Sequence, residues 1–465
     1  MRGSQGNRRV RVVFATAVAL LGVTIAASAA YGDAGRVKDI NPGPEDSGPS
    51  FAAVLGRALI FQADDGEHGA ELWRSNGTEA GTKLVRNLKP GADGSFPTWT
   101  TRLGERVLFF ATGKKHGHEL WRTDGTKKGT RLVKDINRGP DDSVSPSGFT
   151  PVIGTGRLFY FAADDGKHGL ELWRSNGTRH GTFLVKDIYK SGGSEPSKFV
   201  PVGHRLFFFA FDGKHGMELR STNGTRRGTK LVKDVNHGTA GSDPGGFGAA
   251  GGLLYFGADE GSHGQELWKS DGTREGTRLV EDINPGGDSG PGGITQVGNK
   301  VIFGANDGTN GIEPWRSNGT KKGTKLLLDI YPNATGSFPF RLGTVNGTLL
   351  FFADNGSIGS EPWTSDGTTG GTQPLLDINS GGGSFPCCLG GMRAGDLFYF
   401  DATDGTPHGI ELWQTDGTEL GTSLVEDINP GSPSSTPQAL GAAGKRLFFE
   451  ADDGTSGDEL WMATP

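Results

Sequence analysis

GAELWRSNGT, residues 69–78, is a strand and a turn that this chain writes nine times. Its glutamate recurs at Glu71, Glu119, Glu171, Glu218, Glu266, Glu313, Glu361, Glu411 and Glu459, at intervals of 48, 52, 47, 48, 47, 48, 50 and 48 residues. Periods of this size belong to propeller blades or to helical-pair arrays, so the content of one unit decides. SKFVPVG (197–203), RLFFFAF (205–211), GMELRSTNG (216–224) and GTKLVKDV (228–235) are short β-prone runs bounded by Gly, Asn or Asp, with no helical periodicity. Four short strands per repeat predict one propeller blade.

The second run of each unit is apolar at nearly every position, as in ALIFQA, VLFFAT, RLFYFAA, LLYFGA, LLFFAD, DLFYFDA and RLFFEA. A strand with one wet face would alternate, so these runs predict burial on both faces. Radially packed blades supply that burial, and so would an open solenoid. The two ends of the repeat array separate them. After its leader the chain begins with the fourth strand type, GRVKDI (35–40), and it stops after QALGAAG, KRLFFEADDG and DELWMA, the first three types of a ninth unit. In a ring, the N-terminal strand completes the last blade. The expectation is an all-β chain with a single β-propeller of about nine four-stranded blades over residues 35–465. A miscount by one blade, or an open or split ring, is the alternative.

ELWRSNGT, ELWRTDGT, ELWKSDGT and ELWQTDGT, with LVKDIN downstream, resemble the ELWxxDGT repeat proteins, secreted proteins of bacteria. The resemblance runs in register over essentially the whole chain after the leader. It implies a propeller-like fold and an extracellular or cell-surface location, and it transfers no catalytic residue. The departures are Arg220 in place of Trp, and Pro314 and Pro362 in place of Leu.

Alternation along a strand puts Glu71 and Trp73 on one face and Leu72 on the other. The pair recurs as Glu119 and Trp121, Glu171 and Trp173, Glu266 and Trp268, and Glu411 and Trp413. An element repeated in every blade serves the blade, so the Trp is expected to pack between blades. Each Glu is expected to accept backbone N–H groups or to meet an Arg or Lys, because a buried carboxylate needs donors. The alternative is nine catalytic or metal-binding carboxylates. The Asn-Gly-Thr and Asp-Gly-Thr tails predict tight hairpins. Asn76, Asn176, Asn223 and Asn318 also fit the N-glycosylation pattern, but Asp stands at the same turn in other copies, which favours the turn.

Propeller topology places the connections between second and third strands on one face, together with those leading to the next blade. The first group reads DDGEHG, TGKKHG, DDGKHG, FDGKHG, DEGSHG and so on; the second includes NPGPEDSGPS and NRGPDDSVSPSG. This acidic, Gly-rich crown is where ligands are expected. Its candidates are His68, His116, His168, His215, His263 and His408, one per loop and absent from three blades. One blade apart, they are poorly spaced to share a zinc ion. Calcium is the one cofactor with any sequence support, through the paired oxygens of Asp64 and Asp65, Asp164 and Asp165, and Asp452 and Asp453, although no EF-hand spacing is present. Three copies break the symmetry and could mark a unique site: Trp99, Arg220, and the adjacent Cys387 and Cys388, either a vicinal disulfide or two thiols.

The first residues carry Arg2, Arg8, Arg9 and Arg11, an apolar run from Val12 to about Ala27, and then Ala-Ser-Ala-Ala. That layout predicts a signal peptide over residues 1–30, the alternative being a retained membrane anchor. Cleavage would take the net charge from −6 to −10. Such a protein is expected in the secreted or cell-surface space, as a monomer, with no membrane span and no nucleic-acid partner. Glycine, 80 of 465 residues, supplies turns, and 27 Phe and 9 Trp supply a core, which excludes a disordered chain. No Gly-x-Ser-x-Gly elbow or His-Glu-x-x-His is present, so catalysis finds little support. The expected function is a non-catalytic scaffold that binds an extracellular polysaccharide or surface protein through its crown. The alternative is a lyase or glycoside hydrolase acting at the channel mouth.

Overall fold

Val107, Leu108, Phe109, Phe110 and Ala111 are consecutive in one strand, and all are completely buried. Neighbouring residues of a strand face opposite ways, so this sheet is covered on both sides. The computed structural model describes residues 33–145, 152–155, 157–384 and 391–465. Residues 1–30, where a signal peptide is expected, and Cys387 and Cys388 therefore lie outside the described residues.

The described chain forms nine antiparallel four-stranded sheets, each read inward to outward in sequence order except the last. The first is Ser50–Leu55, Ala58–Ala63, Glu71–Ser75 and Lys83–Arg86. First strands of successive sheets neighbour one another and line the centre of a nine-bladed propeller. Each hydrophobic cluster joins two successive blades. Ile60, Leu72 and Val85 of the first blade pack with Val107, Phe109 and Trp121 of the second. Phe61 and Trp73 pack backward, with Phe448 and Leu460 of the ninth. The motif Leu thus faces the following blade and the motif Trp the preceding one, each burial contributing about 2–3 kcal/mol.

Closure uses both ends of the array. Asp33–Lys38 pairs antiparallel with Asp458–Thr464, with Asp33 opposite Thr464 and Arg36 opposite Trp461. The ninth sheet thus takes its outermost strand from residues 33–38 and its other three from residues 438–464.

The connection between third and fourth strands is not a two-residue hairpin. Such a turn needs positive φ at both central residues; of Asn76 and Gly77, only Gly77 is left-handed, at φ 88°. Instead Asn76 Oδ1 accepts from Thr78 N (3.1 Å) and Thr78 Oγ1 (2.8 Å), and Ser75 Oγ bonds Thr82 Oγ1 (2.7 Å). Asp124 does the same with Thr126, which is why Asn and Asp interchange: only the acceptor oxygen is used. A Cβ on Gly81 would sit 1.8 Å from that oxygen, so the second glycine of the turn is sterically required.

Pro314 and Pro362 stand where most copies have Leu. In those copies the ladder to the fourth strand slips between the Leu and the Trp, as at Leu72 and Trp73, so the Leu amide is dispensable. The carbonyl is kept: Leu327 N donates to Pro314 O at 2.9 Å.

Arg220 fills a Trp slot by copying its hydrogen bond. Trp121 Nε1 donates to Ala111 O (2.9 Å) and Trp363 Nε1 to Ala353 O (3.1 Å); Arg220 Nε donates to Ala210 O (3.2 Å). Its guanidinium also pairs with Asp212, whose carboxyl stays well below the usual range despite its burial, because His215 and the Lys214 and His215 amides bond it and Arg220 adds its charge. Arg220→Ala is expected to cost about 3 kcal/mol, through the cavity and the loss of the bond to Ala210 O. Arg220→Trp, which restores the repeat, should cost less than about 1 kcal/mol. Denaturant midpoints of the two variants check this; equal losses would refute it.

Candidate functional site

Each Glu of the motif anchors the loop that carries the chain to the next blade. Glu71 accepts from Leu88 N (3.0 Å), Lys89 N (3.0 Å) and Ser95 Oγ (2.6 Å). Glu411 accepts from Ile428 N, Asn429 N, Ser435 N and Ser435 Oγ. Glu459 reaches the other end of the array, taking Ile40 N (2.9 Å), Asn41 N (3.2 Å) and Ser47 Oγ (2.8 Å). All nine are fully buried, and among the described residues their donors are backbone amides and serine hydroxyls rather than Arg or Lys.

Burial pushes these carboxyls up, against the pull of their donors: Glu119 to about 8, and Glu218, Glu411 and Glu459 to about 7. A carboxyl raised in the folded state binds more protons folded than unfolded, so its stabilisation is complete below the unfolded value and is lost as pH rises through the folded one. The buried imidazole of His118 is held down to about 4 by desolvation and acts oppositely, but only below pH ~6.5. From pH ~6.5 to ~8.5 the melting temperature is therefore expected to fall, Glu119 alone contributing about 2 kcal/mol. A flat or rising profile would contradict this, and Glu119→Gln should flatten part of the slope.

The crown is assembled from both loop groups. Ser95 N and Phe96 N donate to Ala70 O (2.9 and 3.0 Å), tying the entry to the second blade against the hairpin of the first. Within that hairpin, Asp65 Oδ1 accepts from Glu67 N and His68 N, and Asp65 Oδ2 meets His68 Nδ1 at 2.8 Å. His168 and Asp165, His215 and Asp212, His263 and Glu260, and His408 and Asp404 repeat the pair. His116, whose loop has Gly113 in place of the acid, lies 3.1 Å from Asp135 instead. These bonds raise His68, His263 and His408, chiefly through the bonded carboxylate. Where histidine is missing, Asn310 Nδ2 donates to Asp307 (2.8 Å) and Ser456 Oγ to Asp453 (3.4 Å). The imidazole thus does a job in loop closure that Asn and Ser also do, and no two of the six pairs share a carboxylate.

The acid pairs are likewise committed to their own loops. Asp64 Oδ1 accepts from Gly66 N, Asp164 Oδ1 from Gly166 N and Asp452 Oδ1 from Gly454 N, while Asp165 and Asp453 hold the amides that follow them. Among the described residues no three His, Cys, Asp or Glu side chains converge in a way that could hold a metal ion.

Sequence reasoning missed the rim of the channel. A Ser-x-Pro motif precedes most first strands, and its middle residue is left-handed at Gly48 (φ 52°), Phe96 (50°), Glu195 (50°), Asp243 (41°), Gly290 (54°), Phe338 (48°) and Thr436 (45°). Glycine fits that conformation without strain, whereas a bulky residue there costs on the order of 1–2 kcal/mol. Phe96 and Phe338 nevertheless occupy it and remain 47% and 55% exposed, and Phe340, just past the second proline, is 52% exposed. Phe51 and Trp99 add a second left-handed pair, at φ 46° and 54°, with their rings edge-to-face 5.4 Å apart across the first two blades. Lys198 Nζ lies 5.8 Å from the ring centre of the exposed Phe247. Between Pro339 and Arg341 a shallow apolar cleft opens against Gly293 and Pro314. The signal was the pairing of SFP (95–97 and 337–339) with SGP (47–49 and 289–291): phenylalanine at a glycine position.

No family model and no curated protein matches this sequence. Among solved structures, puromycin hydrolase aligns over 89% of this chain and 59% of its own at 12% identity, with a TM-score of 0.40. A mutant of that enzyme in complex with PGG aligns over 87% and 58%, also at 12% and 0.40. A structure from a study of two prolyl endopeptidases aligns over 71% and 50% at 13% identity and 0.42. This chain spans about half to three-fifths of the length of those proteins. Likeness at that level carries nothing about activity, and the propeller stands on the strand pairing described above.

Proposed function

We propose that this chain is a secreted, non-catalytic propeller of the ELWxxDGT repeat kind that holds an extracellular polysaccharide on its crown. The observation that carries this reading is the pair of exposed rings, Phe96 and Phe338, kept at a left-handed rim position where two other copies use glycine and three use Glu, Asp or Thr. Strain retained without burial points to a side chain wanted for contact. Flat rings around a channel mouth suit the apolar faces of sugar rings, and the surrounding carboxylates and imidazoles suit hydroxyl groups. Equivalent loops around the ring suit a repeating ligand bound by avidity.

The test separates binding from folding. Phe96→Gly with Phe338→Gly should leave the melting temperature unchanged or raise it, because glycine relieves the left-handed strain. The same variant should lose at least about tenfold in retention on a glycan array. Retention equal to that of the parent would rule the rim out, and a chelator arm would reveal any calcium requirement.

Cleavage of the polymer is the second reading, and one residue favours it. Glu450 stands where other blades have Gln62, Phe110, Ala162 or Gly257, and burial, with Asp458 and Asp46 adding to it, pushes its carboxyl up to about 8. A carboxyl still protonated at neutral pH is what a general acid requires. Shortened glycan in the array eluate, abolished by Glu450→Gln, would favour this reading over retention alone.

A further inference from the structure

The acidic net charge averages two faces of opposite sign. Acids gather on the crown, as at Asp64, Asp65, Asp141, Asp142, Asp259, Glu260, Asp452 and Asp453. The opposite face is built from the hairpins joining first to second strands and the turns joining third to fourth strands. At or beside the first residue of the second strand it carries Arg57, Arg106, Arg157, Arg205, Lys300 and Arg446. Its turns add Lys127, Lys128, Arg179, Arg226, Arg227 and Arg274. The seventh and eighth blades are the exceptions: the seventh has no cation at these places, and the eighth has Asp396, Asp416 and Glu419.

The cations do not lie scattered. One cleft between the second and third blades is lined by Arg106, Arg157 and Asn176, with Glu105 as its acid. The next shares Arg157 and adds His204, Arg205 and Asn223. A third shares Arg205 and Asn223 and adds Arg227, Lys230 and Arg274. Shared walls make them one arc across four blades. The ion pairs on this face are Lys321 with Glu281 (3.0 Å) and Lys445 with Asp396 (3.8 Å), both away from the arc. Arg205, where bonded, meets a neutral acceptor, Gly272 O at 3.2 Å, which orients the guanidinium and leaves its charge. Crowding is visible beneath the arc too: burial holds Arg122 below its ordinary range, and Arg106 and Arg131 push the same way.

We propose that this arc is a second binding surface, separate from the crown, which takes a linear anionic polysaccharide bearing carboxylate or sulfate groups. Arginine forks match such groups in a bidentate fashion, and the asparagines between them suit sugar hydroxyls. Single-stranded nucleic acid is disfavoured, because its sites interleave cations with aromatic platforms. Here the exposed rings lie on the crown, and among the described residues the one large exposed apolar side chain on this face is Leu420.

The test uses the full chain after leader removal on immobilised polygalacturonate, dextran sulfate and neutral dextran. Retention on an anionic matrix, falling steadily with added salt, and no retention on dextran are expected. Arg157→Ser, Arg227→Ser and Arg274→Ser combined remove three exposed cations of the arc and should weaken retention about tenfold or more, with melting unchanged. The rim variant Phe96→Gly with Phe338→Gly should not weaken it, so failure here is distinguishable from failure at the crown. Carboxylate and sulfate matrices together tell which anion is preferred. Equal binding by the triple variant, equal retention on dextran, no retention on either anionic matrix, or tighter binding to single-stranded RNA or anionic vesicles would overturn the proposal.

Discussion

Removing residues 33–48 is expected to abolish soluble, cooperatively folding protein. The cut strips the outermost strand from the ninth blade, leaving Asp458–Thr464 as a bare edge with apolar residues beside it. It takes Val37 and Ile40 from the cluster between the last and first blades. It also takes Ile40 N, Asn41 N and Ser47 Oγ, the donors to Glu459, a carboxylate with no exposure of its own. Together these losses exceed about 6 kcal/mol, most of the margin by which a domain is stable. Supplying residues 33–49 as a separate peptide should restore soluble protein. Expression yield and the cooperativity of melting read the outcome; an unaffected truncation would mean that closure contributes little.

Replacing Glu411 has the next largest expected effect. Glu411→Ala leaves the buried amides of Ile428 and Asn429 and the Ser435 hydroxyl without their acceptor, while Ser435 N keeps Ile410 O at 3.1 Å. Each orphaned donor costs about 1–3 kcal/mol, so a loss of about 4 kcal/mol or more is expected. Ser435→Ala, which removes one donor and leaves the carboxylate satisfied, should cost about 1 kcal/mol. Urea midpoints of both variants at pH 6.5 would check the ratio. Similar losses would mean that the carboxylate is not the hub of the loop.

The architecture was legible because each part of it repeats. Nine copies of one strand, apolar second strands and complementary fragments at the two ends leave a ring as the economical solution, and the pairing of Asp33 with Thr464 realises it. The turn after the third strand was misread because Asn-Gly has two uses. In the shorter one both residues twist the backbone, and in the other the Asn side chain folds over Gly81. Only the later glycine, three residues past the Thr, distinguishes them. The part the histidines play within their own loops was hidden because their partners are invisible in one dimension; Asn310 and Ser456 reveal the same bond in other letters. Phe96 and Phe338 escaped notice for the converse reason. A phenylalanine among many buried ones is unremarkable until φ and exposure are known together.

The way the ring is fastened also decides how it yields to mechanical load. Asp33 and Thr464 sit side by side at one end of the closing ladder. Traction between the two chain ends would therefore load its hydrogen bonds one after another, as a zip is opened, rather than all at once in shear. A ring held together by nine interlocked interfaces would give way at modest force when pulled by its tails. Anchored through one tail only, it would feel no such load.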